Sequence, residues 1–206
     1  MPEAAKSDNL RRAVRNVALL NFGYFFVEFS VALAIASVAL FADSVDFLED
    51  TAVNLLILVA LGWSAKKRAR VGMGLAAVLL VPGLATIWTA WNQFAAPVVP
   101  DAVPLSAAGL GALIVNVTCA TMLARYRDTE GSLTKAAFLS ARNDAVANVA
   151  IIAAGIATML TLSHWPDLIV GIGIFLMNLD AAVEVYEEAM KEHSAATHHH
   201  RGEHRP

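Results

Sequence analysis

Between residues 16 and 190 almost the whole chain can be cut into apolar stretches of about 20 residues, and that property leaves few folds open. Coiled as a helix, such a stretch is about 30 Å long, the thickness of a bilayer's hydrocarbon core. Six fit, at roughly 16–40, 44–65, 71–94, 104–125, 134–161 and 166–189. The segments "KKRAR", "QFAAPVVPDAVP", "RYRDTEGSLTK" and "SHWP" between them carry the charge and the Pro/Gly punctuation of loops, while the first turn is little more than "FAD". The composition agrees: 57% of residues are hydrophobic and 16% charged, too apolar for a soluble domain of 206 residues. The expectation is an all-α membrane protein with six transmembrane helices in the lipid bilayer. Residues 1–15 form a basic cytoplasmic leader, 16–190 the membrane domain and 191–206 a short tail.

Lysine and arginine cross membranes poorly and gather on the cytoplasmic side. Here Lys6, Arg11, Arg12 and Arg15 precede the first span, and Lys66, Lys67, Arg68 and Arg70 follow the second. Arg125, Arg127 and Lys135 follow the fourth, and Lys191, Arg201 and Arg205 the sixth; the other three connections have none. Both termini are therefore expected in the cytoplasm of a multi-pass protein of the cell's inner (plasma) membrane. The exception, Arg142, falls inside the fifth span. No small-residue cleavage site follows the first apolar run, so that span is expected to stay in the mature protein. A single cysteine, Cys119, excludes an intrachain disulfide framework and a multi-thiolate metal site. No nucleophile–base pair or zinc-hydrolase motif is present, which argues against an enzyme; nothing points to nucleic acid or to a bound cofactor. Five of the six histidines lie in the tail "KEHSAATHHHRGEHRP", read as disordered chain, with a low-affinity metal collector as the alternative.

Ionisable groups at the centre of a membrane helix cost about 2.5–3.5 kcal/mol each on insertion scales, and they mark ion or substrate paths. Two spans carry polar groups in one pattern. Asp46, Asp50 and Asn54 recur every fourth residue in the second, and Ser140, Asp144 and Asn148 do so in the fifth. That spacing keeps each set on one helical face, about 6 Å apart per step. Facing each other, the two sets bring three carboxylates and three neutral oxygen donors together near the membrane middle. Uncompensated, the carboxylates repel one another; a divalent cation removes that penalty, and protons replace it when it leaves. The donors suit Zn²⁺ in four-coordination or Mn²⁺, Co²⁺ or Fe²⁺ in five to six. Asp43, in the helix-start signature "ADS", reads as a cap ahead of a place lining the exit. Glu49 is off the Asp46/Asp50 face and reads as a partner for Arg142. Asn54 and Asn148 serve equally well as ligands or as interhelical amides. Glu28 and Asn116 read as lone packing partners, and Asp180 and Glu184 as an inner vestibule or a solvated helix end.

"VALLNFGYFFVEFSVALAIASVALFADSVDFLEDTAVN" (17–54) resembles the first two helices of the cation diffusion facilitator family. "LSARNDAVANVAIIAAGIA" (139–157) resembles its fifth helix and "HWPDLIVGIGIFLMNLDAAVEVYEEA" (164–189) its sixth, with a Pro-Asp start. The resemblance implies a tetrahedral transport site of two pairs, each spaced i, i+4: Asp46 with Asp50, and Ser140 with Asp144. The family usually has histidine where Ser140 stands. A hydroxyl is a poor zinc ligand, so Asn143, Asn148 or water completes the shell, or the preferred ion is harder than zinc. The family's soluble C-terminal domain, which binds regulatory metal and supports dimers, has no counterpart in the last 17 or so residues. A homodimer fits the resemblance, though no interface is legible.

The function expected is export of a divalent transition-metal cation (Zn²⁺ or a related ion such as Co²⁺, Mn²⁺, Fe²⁺ or Cd²⁺) by metal/proton antiport. Its site is Asp46, Asp50, Asp144 and Ser140, with Asn54, Asn143, Asn148, Asp43, Glu49 and Arg142 as further ligands or supports. The alternatives are a non-transporting scaffold or regulatory subunit, and a metal or proton channel.

Overall fold

The structure, a computed structural model, describes residues 3–60, 84–126 and 132–179, with side chains from Asp8, Leu84 and Ala137 onward in each segment. The start of the expected third span, the Lys66–Arg70 loop, Asp180, Glu184 and the histidine-bearing tail lie outside the described residues. Those described form α1 (Glu3–Ile35), α2 (Val38–Ala60), α3 (84–95), α4 (Ala102–Ala124), α5 (Ser132–Thr161) and α6 (Trp165–Leu179). No strand occurs among them. The core pairs α1 with α2 and α4 with α5, and sets α1 against α4 and α2 against α5.

One boundary differs from expectation, and one helix runs beyond its apolar span. α1 begins at Glu3, ahead of the apolar run at residue 16, because "EAAKSDNLRR" is rich in good helix formers. The first turn is not "FAD" but Ala36–Ser37, where Ala36 takes a left-handed φ of 54°. Ser37 is the N-cap of α2: its Oγ accepts from Leu40 N at 3.1 Å and donates to Asp167 Oδ1 at 2.6 Å. Asp167, in the first turn of α6, also accepts from Val38 N at 2.8 Å and Ala39 N at 3.3 Å. The start of α2 is therefore capped by a carboxylate 130 residues away. Gly171, one turn later on α6, permits that approach: a Cβ there would stand 2.7 Å from Val38 C and Ala39 N.

The α1–α2 hairpin sets an antiparallel register in which Asn21 faces Asp50, Tyr24 faces Phe47 and Glu28 faces Asp43. Apolar residues close both ends of this bundle. Leu40, Val45, Leu105, Ala108, Ala147 and Ile151 gather near the α1–α2 turn; Val14, Val17, Ile57, Cys119, Leu123 and Ala141 gather at the other end. On each of α1, α2, α4 and α5 the buried polar residues fall largely between these clusters.

The outside is the reverse of a soluble protein. Leu19, Phe26, Leu33, Ile114, Val146 and Leu160 are all more than half exposed, whereas Asn21, Glu28, Asp43 and Asn148 have no exposed surface. An apolar exterior over a polar interior is what a lipid solvent selects. α1 from Asp8, α4 and α5 from Ala137 are each long and apolar enough to cross a bilayer. The first half of α2 is enclosed, buried at every residue from Ser37 to Phe47, while Leu55 and Val59 in its second half are exposed. Trp91, Phe94 and Trp165 cluster at one end of the bundle, where an aromatic belt meets the headgroups.

Candidate functional site

α2 and α5 run antiparallel, so their polar faces pair in inverse order. Ser140 meets Asp50 and Asn148 meets Asp43, with Asp46 and Asp144 on the turns between. Ser140 Oγ lies 2.9 Å from Asp50 Oδ1 and 3.5 Å from Asp144 Oδ2. A hydroxyl has one hydrogen, so Ser140 serves these two carboxylates one at a time. Asp50 accepts a second bond from Asn21 Nδ2 at 3.2 Å, and the Cys119 thiol donates to Asn21 Oδ1 at 3.4 Å. Asp46 is held from α6, accepting from Asn178 Nδ2. Asp46 and Asp50 are buried and Asp144 is half-buried. Among the described residues no three His, Cys, Asp or Glu side chains stand close enough to enclose a metal ion as they are.

The remaining expected residues separate. Asn148 is engaged at both ends of its amide: its Oδ1 accepts from Asn116 at 3.0 Å and its Nδ2 donates to Asp43 Oδ2 at 2.5 Å. Its amide joins α4, α5 and α2, the interhelical reading rather than the ligand one. Asn54 turns its Nδ2 back onto Asp50 O, leaving its buried Oδ1 without a partner. Asp43 caps nothing; it lies in the second turn of α2 with no exposed surface, and Ser37 with Asp167 does the capping. The Glu49–Arg142 pair does not form. Arg142 is exposed and donates to Asn143 Oδ1 at 3.4 Å, so both residues point away from the polar layer. Arg142→Gln should accordingly leave stability and any cation flux at wild-type level; a flux changed by tenfold would restore the arginine to the site.

Three polar residues at this layer were not anticipated there: Asn21 and Asn178, which donate to Asp50 and Asp46, and Glu28, which bonds to neither. Each is a single polar residue in an apolar run, a signal visible in sequence, but its partner sits on another helix.

Residues 14–192 match the family defined by the cation efflux transmembrane domain. The chain belongs to the cation efflux family. It is thus a multi-pass membrane protein and a cation transporter of the cation diffusion facilitator type. A search of curated proteins gave no match. For a cation efflux protein the polar layer has a straightforward economy. An interhelical hydrogen bond in a membrane contributes about 0.6 kcal/mol on average, and an ionised residue at the bilayer centre costs several times that. On that scale the hydrogen bonds of Asp46, Asp50 and Asp144 do not offset the burial of ionised carboxylates.

Proposed function

We propose that this chain exports a divalent transition-metal cation from the cytoplasm in exchange for protons, binding it between α2 and α5 through Asp46, Asp50 and Asp144 with Ser140 beside them. The observation that carries this reading is the meeting of Asp50, Ser140 and Asp144 across two antiparallel helices, with Asp46 one turn away, inside a bundle whose exterior is apolar. Each of these carboxylates accepts from a neutral donor, so a cation enters by displacing Asn178 from Asp46, and Ser140 and Asn21 from Asp50. When it leaves, protons take over the carboxylate oxygens, which is the basis of the exchange. Six spans with both termini cytoplasmic remain the topology proposed, on the sorting of lysine and arginine.

The donor set is all oxygen. Carboxylate and hydroxyl favour a harder ion such as Mn²⁺ over Zn²⁺, which prefers nitrogen and sulfur. The test is uptake into vesicles holding the purified protein, with and without a pH gradient, over Zn²⁺, Mn²⁺, Co²⁺, Fe²⁺, Ni²⁺ and Cd²⁺. Gradient-driven uptake of at least one ion is expected, and Ser140→His should move preference toward Zn²⁺ by supplying an imidazole. Uptake indifferent to the gradient would favour a channel, and no uptake of any ion a scaffold.

A further inference from the structure

Glu28 on α1 has no exposed surface, and neither of its carboxylate oxygens has a hydrogen-bond partner. It faces Asp43 of α2, also without exposed surface, whose Oδ2 accepts from Asn148 and whose Oδ1 has no donor. Two carboxylates that meet in a closed interior are acceptors only; one hydrogen between them turns the repulsion into a short, charge-assisted bond. The other titratable groups facing the pair are Tyr24 from α1, Asp46 and Asp50 from α2 and Asp144 from α5, none of them cationic. α4 contributes the amide of Asn116, through Asn148. No ammonium, guanidinium or imidazole among the described residues balances the pair.

We propose that Glu28 and Asp43 form a proton-holding carboxyl pair, separate from the cation ligands, that takes up one hydrogen ion when the neighbouring cavity is empty and releases it when a cation binds. The coupling to the cavity is short. Asp43 precedes Asp46 by one turn of α2, a separation of about 5–6 Å between Cβ atoms, and Asn148, its α5 partner, follows Asp144 by one turn. A divalent cation among Asp46, Asp50 and Asp144 favours the doubly ionised pair, so one proton leaves as the cation enters; departure of the cation restores the singly charged pair. Charge is conserved at each step, and the pair provides one proton of the exchange. This rests on the proposed cation site for its coupling, but not for the shared hydrogen.

Infrared spectroscopy of the full-length protein in vesicles reads that hydrogen directly. The wild type should show a protonated carboxyl C=O band that shifts in deuterium oxide. Glu28→Gln and Asp43→Asn should each remove the same band, and the double variant no more than either, because the hydrogen is shared. Both amides supply the missing donor in nearly the same shape, so the fold is retained. Bands lost independently, or no band in the wild type, would overturn the pair. Glu28→Gln should also bind Zn²⁺ and Mn²⁺ as the wild type does yet lose the acceleration of uptake by a pH gradient. Retained acceleration would overturn its role in exchange, and loss of a bound metal equivalent would make the pair a cation site instead. If the wild type moves none of the tested ions, the transport reading fails while the infrared result still decides the pair.

Discussion

Asp50→Asn and Asp144→Asn should each lower the affinity for the transported cation by at least about tenfold and abolish gradient-driven uptake, with little loss of stability. The two halves of this expectation have separate causes. Asparagine keeps an oxygen that accepts from Ser140 or Asn21, so the helix contacts at this level are preserved, and one interhelical bond contributes only about 0.6 kcal/mol. What is lost is a full negative charge in a buried layer, and in metal sites even a neighbour of a ligand is worth 10–100-fold in affinity. Asn54→Ala is the matched control. Asn54 lies one turn beyond Asp50 on the same face, but its amide bonds only the α2 backbone, so its removal should leave affinity unchanged. Metal titration and vesicle uptake on the same preparations separate these outcomes. Wild-type uptake by both aspartate variants would remove Asp50 and Asp144 from the site, whatever the family membership implies.

The i, i+4 faces of α2 and α5 were legible because helical periodicity is a local property, and polar groups at that spacing in an apolar run have few other readings. The partners from α1 and α6 were not legible, and the reason is a register. The turn expected at "FAD" lies instead at Ala36–Ser37, and a hairpin folded five or six residues late pairs the wrong residues along its whole length. With the turn in its true place, Asn21 falls opposite Asp50 and Glu28 opposite Asp43, so the lone glutamate and the supposed cap become one feature. "ADS" misleads for a physical reason: an aspartate before a serine is a common cap, but α2 draws its cap from Ser37 and a carboxylate on α6. Nothing near residue 40 in the sequence announces that carboxylate. The start of α1 was not legible from the apolar run, since hydropathy detects the bilayer while helix formation in "EAAKSDNLRR" depends on propensity.

Asp167→Ala should destabilise the fold by about 2–4 kcal/mol, with Asp167→Asn nearer 1. The aspartate satisfies three donors at once: Ser37 Oγ at 2.6 Å, Val38 N at 2.8 Å and Ala39 N at 3.3 Å, all in a region without exposed surface. Loss of a cap alone costs about 0.5–2 kcal/mol, and a buried donor left without an acceptor adds about 1–3. Asparagine keeps one acceptor but loses the charge that favours a helix N-terminus, an effect of about 0.3–1 kcal/mol rising to about 2 when partly buried. Thermal unfolding in detergent measures both, and equal stability of the alanine variant would show that water or a neighbour replaces the cap. The consequence extends to the cation site. Three turns along α6 from Asp167, about 16 Å away, Asn178 holds Asp46, so α6 braces α2 at two points. Releasing the first loosens the second. Asp167→Ala should therefore weaken cation binding as well as stability, although its side chain touches none of the proposed ligands, whereas Asn178→Ala should alter binding with a smaller loss of stability.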